Sequence, residues 1–155
     1  MQSRLSPHTT APEEIKALQA LSMQVKKDLA PTIVHLVLTR VSQINGCAYC
    51  LHMHTLEARA DGEREDRLYL LNAWRESALF TPKERAALGW AEALTRVAET
   101  QAPDEDYHEA RRHFSEEELV KLTLLIGMIN TWNRIAIGFR VVHPEDRAPA
   151  AAEAA

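Results

Sequence analysis

The stretch that decides the fold of this chain is residues 41–54, which read Val41-Ser42-Gln43-Ile44-Asn45-Gly46-Cys47-Ala48-Tyr49-Cys50-Leu51-His52-Met53-His54. It begins at the end of an apolar stripe with helical spacing and is broken by an Asn-Gly pair. Glycine just past the last periodic residue is a typical helix end. The stretch therefore predicts one helix that ends near Asn45-Gly46 and a second that begins near Cys47.

Helix signals also dominate the rest of the chain, and strand signals are scarce. The Ser/Thr-x-x-Glu pattern of a capping box begins at Thr10, Thr81 and Ser115. The predicted helices run from Pro12 to Leu29, from Pro31 to Asn45, over about 47–60, through Leu68, Leu71 and Trp74, from Thr81 with Leu88, Ala91, Leu94 and Val97 inward, from Pro103, and from Ser115 to about Val142. The fold class predicted from these patterns is all-α.

The last predicted helix has little polar face. A helix that is apolar nearly all round has to be covered on several sides. A chain of 155 residues offers few helices to cover it, so a subunit interface is one interpretation. A central helix wrapped by the others is the alternative.

Length and composition predict one globular domain. We expect a flexible N-terminus over 1–11, a single helical domain over 12–144 and a flexible tail over 145–155. The formal net charge of −4 and the isoelectric point near 6.0 argue against nucleic acid as a partner, because no basic stripe is available for phosphates.

The chain also lacks the signals of export and of membrane insertion. No apolar stretch reaches the roughly 20 residues that cross a bilayer, and residues 1–10 lack the apolar centre of a secretory leader. We therefore expect no membrane partner and a location in the reducing cytoplasm.

The two cysteines, Cys47 and Cys50, are three positions apart. A disulfide between them closes almost no loop, so it constrains the unfolded chain very little. In a reducing compartment such a pair is typical of catalysis, redox sensing or metal binding.

Helical geometry puts Cys47, Cys50 and His54 on one face, because each residue turns the helix by about 100°. Cα atoms three residues apart also lie within the range that a disulfide accepts. The helix start favours Cys47 as the thiolate, since the positive end of the dipole lowers a thiol pKa. His54, one turn beyond Cys50, favours Cys50 instead. These arguments leave the attacking cysteine open.

Residues 41–54 closely resemble the core of the alkylhydroperoxidase AhpD-like family, within the carboxymuconolactone decarboxylase superfamily. The family pattern is a glutamate, eleven residues, then Cys-x-x-Cys-x-x-x-His. The resemblance is strongest from about 31 to 64 and extends more loosely to residues 131–136. It implies an AhpD-like helical bundle that assembles as a homo-oligomer, a trimer or a hexamer, with the active site near the subunit contacts.

The resemblance also implies a function, namely thiol-dependent reduction of a hydroperoxide substrate. Electrons would return from a dithiol partner, a lipoyl- or thioredoxin-type protein, and neither a cofactor nor a metal is expected. In the family the second cysteine attacks the peroxide, so Cys50 corresponds to the peroxidatic residue and Cys47 to the resolving one. His54 corresponds to the proton-relay histidine.

One residue departs from the family pattern. The glutamate is expected twelve positions before Cys47, where this chain has His35. Histidine also relays protons but supplies no permanent negative charge. Glu57 lies about 60° beyond His54 on the helix and is predicted to be a poor substitute. We therefore predict a slow, cysteine-dependent activity with His35 as a fourth site residue.

Three other functions compete with the peroxidase. Cys47, Cys50, His54 and His35 form a Cys₂His₂ set of the kind that binds zinc. The decarboxylase branch of the superfamily works without a cysteine pair, so the intact pair argues against it. A helical scaffold whose cysteines sense oxidant without turnover is the third. Among the remaining residues, His52 is predicted to be structural or to face an interface. The Trp132-Asn133-Arg134 segment is predicted to be structural, at the subunit contacts.

Overall fold

The computed structural model describes residues 3–144, and these contain nine α-helices and no strand. The helices are α1 (Pro7–Thr10), α2 (Pro12–Lys27), α3 (Pro31–Asn45), α4 (Ala48–Ala60), α5 (Glu65–Leu70), α6 (Pro82–Thr95), α7 (Val97–Thr100), α8 (Asp104–His113) and α9 (Glu116–Phe139). A 3₁₀ turn, Leu71–Ala73, follows α5. The predicted all-α class is confirmed.

Two of the three predicted capping boxes are present. The Thr81 and Ser115 hydroxyls each accept the backbone N–H three residues on, and Glu84 and Glu118 each accept an N–H in return. The box predicted at Thr10 is wrong, because Thr10 lies inside α1 and α2 starts after Ala11 without a side-chain cap. A residue already in a helical turn cannot cap the next helix.

Two helix ends also differ from the prediction. α6 ends at Thr95, so the inward position predicted for Val97 is wrong. Val97 starts the separate turn α7 and its side chain is 51% exposed. α9 ends at Phe139, where Arg140 adopts a left-handed conformation and its N–H caps the helix. The predicted end near Val142 is therefore about one turn too long.

The core of the molecule is built around α3. This helix packs against α4, α6 and α9, and α9 also packs against α2 and α6. Val37 and Val41 of α3 are fully buried against Leu122 and Ile126 of α9. Burial of such side chains contributes roughly 1.5–3 kcal/mol each, so the apolar cluster that α3 and α9 share stabilises the fold.

α9 is covered on one side and open on the other. Its buried side chains are Leu119, Leu122, Leu125, Ile126, Met128, Ile129, Asn130, Asn133 and Ala136. Val120, Leu124 and Ile137 are 60%, 44% and 47% exposed. The other helices of the chain therefore do not wrap α9 completely.

The junction between α3 and α4 follows from one glycine. Gly46 has φ +67°, in the left-handed region. Its N–H donates to the carbonyl of Gln43 at 3.3 Å, and the N–H of Cys47 donates to the carbonyl of Ser42 at 3.0 Å. This pattern is the Schellman motif, in which glycine closes a helix without a Cβ penalty. α4 begins at once, with Cys47 as its N-cap.

A buried amide network anchors this junction to α9. Nδ2 of Asn45 donates to Oδ1 of Asn133 at 2.8 Å and to Oδ1 of Asn130 at 3.0 Å. Nδ2 of Asn133 donates to Oγ of Ser42 at 3.1 Å, and Asn133 is completely buried. The network ties the end of α3, and so the cysteine turn, to the middle of the longest helix.

The N-terminal segment predicted to be flexible also contacts α9. The backbone N–H of Arg4 donates to the carbonyl of Phe139 at 3.0 Å, and its guanidinium donates to the carbonyl of Gly138 at 2.9 Å. The predicted flexible tail over 145–155 lies outside the described residues. Across residues 3–144, every helix is too short or too polar to cross a membrane.

Candidate active site

The site is a row of side chains along one face of α4. Cys47, Cys50, His54 and Glu57 follow one another at spacings of three, four and three residues, which keeps them on one side of an α-helix. Cys47 and Cys50 form a disulfide with their Cα atoms 5.4 Å apart. The helical turn therefore holds the two sulfurs at bonding distance.

Cys47 lies at the positive end of α4, away from solvent. It is 1% exposed and packs with Ala136, and Tyr49 and Val141 are packed against this pair. Its sulfur accepts the backbone N–H of Cys50 at 3.3 Å. An N-cap sulfur benefits as a thiolate from this N–H and from the helix dipole. Cys47 is thus suited to carry negative charge, but it does not line the cavity described next.

Cys50 faces a cavity of about 490 Å³. This volume lies within the range of small-molecule sites, roughly 300–1,000 Å³. His54 and Glu57 line the same cavity. Cys50 and Cys47 are both almost completely buried, at 2% and 1% exposure. The structure distinguishes them by position, since Cys50 lines the cavity and Cys47 does not.

The cavity lies where α2, α4 and α9 meet, and its walls are mostly apolar. α9 supplies Leu125, Met128, Ile129, Trp132, Ile135 and Ala136, α2 supplies Gln19, Ser22, Met23 and Lys26, and α1 adds Pro7 and His8. Nε1 of Trp132 donates to Oγ of Ser22 at 3.0 Å, which links the two long walls. The part played by α2 and by His8 was missed in the sequence, because residues distant along the chain give no pattern of their own.

His54 is buried, and one of its ring nitrogens is paired. Its side chain is 3% exposed, and Nδ1 lies 3.0 Å from Oε2 of Glu57. Burial lowers the pKa of His54 below 6.5, although the hydrogen bond to Glu57 acts in the opposite direction. The hydrogen bond from His54 lowers the pKa of Glu57. The stable pair is therefore a neutral imidazole beside an ionised carboxylate.

This pairing defines the tautomer of His54. An ionised carboxylate only accepts hydrogen bonds, so Nδ1 carries the proton and Nε2 carries the lone pair. Nε2 is buried and has no hydrogen-bond partner among the described residues. His54 therefore presents an unprotonated, unpaired nitrogen one helical turn from Cys50, as a general base requires.

Glu57 contacts His54, although its angle on the helix predicted a poor substitute for the family glutamate. Residues three apart on a helix are neighbours, and the flexible glutamate side chain spans the remaining angle. Glu57 is 45% exposed at its side chain, so it also connects the buried imidazole with solvent.

His35 occupies a different position from the one expected of a substitute for the family glutamate. Its Nε2 lies 2.7 Å from Oδ2 of Asp61, which follows the last turn of α4. Its Nδ1 is buried without a partner among residues 3–144. His35 lies within electrostatic range of His54 but outside the set of residues that line the cavity. A relay through His35 stays a prediction.

The two remaining aromatic residues of the cysteine stretch contact the segment after α9. The ring of His52 stacks on that of His143 with centroids 4.0 Å apart, and Tyr49 lies 5.5 Å from the same ring. The sequence assigned His143 to no group of residues. The contacts of the His143 ring with His52 and Tyr49 depend on where α9 ends, and the local sequence pattern does not specify that end.

The structure offers no support for the zinc interpretation. Within residues 3–144, no three His, Cys, Asp or Glu side chains converge in an arrangement that could hold a metal ion. Cys47 and Cys50 are bonded to each other, and the His35 nitrogen with a partner is directed at Asp61. The four proposed ligands therefore do not form one site.

Comparison with known proteins identifies the family. The model of the carboxymuconolactone decarboxylase family matches residues 12–93, which include α2, α4 and the cysteine pair. This chain belongs to the carboxymuconolactone decarboxylase family. Members of the superfamily are enzymes of the oxidoreductase or decarboxylase type, and the bundle described above is its AhpD-like form.

Two similar proteins match nearly the whole chain. The uncharacterized protein YdfG of Bacillus subtilis is 44% identical over 138 residues, which are 88% of this chain and 94% of YdfG. A protein of unknown function from Agrobacterium tumefaciens, named as a candidate AhpD antioxidant defence protein, is 49% identical. Its crystal structure has a TM-score of 0.89 and covers 92% of this chain and 99% of its own.

A more distant structure shares the fold. The peroxidase-related protein from Ralstonia eutropha, described as an alkylhydroperoxidase AhpD core, is 18% identical with a TM-score of 0.78. The match covers 92% of this chain and 80% of that one. The two chains therefore share a fold at low sequence identity.

Proposed function

We propose that this protein is a thiol peroxidase in which Cys50 reduces organic hydroperoxides. The observation that carries the proposal is the position of Cys50, which lines an apolar cavity one turn from the unpaired Nε2 of a buried histidine. A nucleophile needs access to substrate and a base to take its proton. Cys50 has both, and Cys47 lacks the first.

In the first step Cys50 attacks the peroxide. Nε2 of His54 takes the thiol proton, and Glu57 stabilises the imidazolium through Nδ1. The thiolate attacks the outer oxygen of ROOH, the O–O bond breaks, and the sulfur becomes a sulfenic acid. The leaving alkoxide takes the proton from His54 and departs as the alcohol ROH.

In the second step the disulfide forms. The sulfur of Cys47 attacks the sulfur of the Cys50 sulfenic acid, and the hydroxyl leaves with the Cys47 proton as water. One hydroperoxide and two thiols thus become one alcohol, one water and one disulfide. The helical turn favours this step, because it holds the two Cα atoms at 5.4 Å, within the disulfide range.

A dithiol partner then returns the electrons. Its thiolate attacks the sulfur of Cys50, which lines the cavity, and Cys47 leaves as a thiolate. The N–H of Cys50 stabilises that thiolate, and a stabilised leaving group speeds exchange. The second thiol of the partner releases Cys50. Lipoyl- and thioredoxin-type proteins supply such dithiols in the cytoplasm, where we place the reaction, and neither a cofactor nor a metal enters it.

The proposal is tested by peroxide consumption with dithiothreitol as the reductant. Cumene hydroperoxide serves as the substrate, and wild type is compared with Cys50→Ser. We expect a slow turnover in wild type and a loss of at least about 10³-fold in the variant, because serine is a far weaker nucleophile than a thiolate.

Two outcomes would overturn the proposal. One is that both thiols of the reduced protein stay titratable after exposure to excess hydroperoxide. The other is that oxidation occurs once but dithiothreitol supports no repeated turnover, which is the behaviour of an oxidant sensor. A lactone decarboxylase would be recognised by activity that persists in Cys50→Ser.

A further inference from the structure

The cavity beside Cys50 contains one positive side chain among mostly apolar ones. Lys26, in the last turn of α2, is half-buried and lines the cavity. It lies within electrostatic range of His54 and Glu57. Of the described residues that line the space, Lys26 alone is a lysine or arginine and Glu57 alone carries a carboxylate.

Lys26 forms no ion pair among residues 3–144. The nearby carboxylates are engaged elsewhere, since Glu57 is bonded to His54 at 3.0 Å and Asp28 to Lys121 at 2.9 Å. A lysine in the last turn also interacts favourably with the helix dipole, which explains a cation here. It does not explain why Lys26 lines the cavity, whereas Lys27 on the same turn is exposed.

We propose that Lys26 binds the carboxylate of the substrate, so that the preferred substrates are hydroperoxides of apolar carboxylic acids. The proposal rests on the peroxidase function above and adds a substrate class to it. The apolar walls from α9 would hold the hydrocarbon body. The single ammonium would hold a single negative charge.

The charge of the site selects the type of anion. A phosphate dianion is usually bound by several donors, such as an arginine fork, a helix N-terminus or a cluster of cations. The cavity lining offers one flexible ammonium, which behaves as a point charge. A monoanionic carboxylate is therefore the better match.

Binding is measured first, without turnover, by calorimetry on the oxidised protein. The ligands are 4-isopropylbenzoate and its uncharged analogue 4-isopropylbenzamide, which differ in charge but hardly in shape. In wild type we expect the benzoate to bind about 5- to 10-fold more tightly, the gain of one charge-assisted contact. Lys26→Met should remove that preference and Lys26→Arg should keep it.

Lys27→Met is the matched control, because it removes the same charge from the same helical turn outside the cavity. It should leave the ratio of the two affinities unchanged. Equal ratios in wild type and Lys26→Met would overturn the proposal, and so would a failure of the benzoate to bind. If Lys27→Met lowered the ratio of the two affinities as much as Lys26→Met does, the preference would reflect the general positive charge of the region. That result would also overturn the proposal.

Turnover is measured second, with 4-carboxycumene hydroperoxide and its methyl ester. The acid should have a KM about 5- to 10-fold lower than the ester in wild type, and the two values should converge in Lys26→Met. Turnover that survives in Cys50→Ser would refute the peroxidase alone, because the calorimetric result does not depend on it. A KM ratio that is the same in Lys26→Met as in wild type would refute the role of Lys26 alone.

Discussion

Nδ1 of His54 lies 3.0 Å from Oε2 of Glu57, one turn further along α4. This contact sets the proton on Nδ1 and leaves the lone pair of Nε2 without a partner among the described residues. The family pattern expects its acid at position 35, where this chain has His35, and the carboxylate beside His54 comes from Glu57 instead. The site thus keeps an acid beside its histidine although His35 departs from the family pattern.

Glu57→Gln tests this contact through the pH profile of the peroxidase rate. Burial already holds the pKa of His54 below 6.5, and Glu57 raises it. Removal of the carboxylate charge lowers the pKa further, so His54 becomes protonated only at lower pH. The acid limb of kcat/KM should therefore shift to lower pH, and the plateau should fall by about tenfold or more, because the base is weaker.

Glu117→Gln is the control for Glu57→Gln, since Glu117 is exposed in the first turn of α9. It should leave the profile unchanged. A shift of the acid limb of Glu57→Gln to higher pH would contradict the assigned direction of the pKa.

Cys47→Ser should stop the cycle after its first step. Without Cys47 the Cys50 sulfenic acid has no thiol one turn away with which to condense. We expect about one equivalent of hydroperoxide consumed per subunit in the absence of added thiol, and dimedone should label Cys50, as detected by mass spectrometry. The opposite result would be a Cys50→Ser variant that reacts with hydroperoxide as fast as wild type and in which dimedone labels Cys47. It would make Cys47 the attacking residue.

Gly46→Ala should destabilise the protein, and Gly127→Ala should not. Gly46 has φ +67°, so an alanine there should lower the free energy of unfolding by about 1 kcal/mol. Gly127 lies inside α9, and a Cβ built on it meets no atom within 4 Å. Alanine at 127 should raise the free energy of unfolding by up to about 1 kcal/mol, because it favours the helix. Urea denaturation measures both free energies of unfolding. Changes of the same sign in the two variants would contradict the different backbone conformations assigned to Gly46 and Gly127.

Asn133→Leu should reveal the energy of the buried amide network. Leucine has the same number and branching of side-chain heavy atoms but leaves Oγ of Ser42 and one hydrogen bond of Asn45 without a partner. We expect a loss of about 2 kcal/mol in the free energy of unfolding. Thr131→Ala on the exposed side of α9 is the control and should change it by no more than about 0.5 kcal/mol. A neutral Asn133→Leu would mean that the network does not hold the cysteine turn.

Leu124→Glu tests the proposed assembly of subunits. Leu124 and Val120 lie one turn apart on α9 and are 44% and 60% exposed. We propose that this outer face of α9 contacts a second copy of the chain. A buried unpaired carboxylate would be costly there, so light scattering should show a smaller assembly in the variant. Val97→Glu is the control, because it places the same carboxylate on an exposed apolar position of another helix, α7. An unchanged mass for Leu124→Glu would remove this face from the interface.

The sequence by itself determined the helices, the cysteine pair and the family. Capping boxes, helical spacing and the Asn45-Gly46 break are local signals, so they predicted α3, α4, α6 and α9 closely. Local signals gave the wrong prediction where a residue belongs to a neighbouring helix instead of the predicted one. Thr10 became part of α1 and could no longer cap α2, and Val97 fell beyond the end of α6.

Only the tertiary structure decided how the site is assembled. Which cysteine meets the cavity, which nitrogen of His54 is left unpaired, and how α2 brings Lys26 to the same space all depend on contacts between residues distant in the chain. The period of a helix specifies which residues share a face. It does not specify what that face packs against, because packing depends on the shapes and charges of all the elements together.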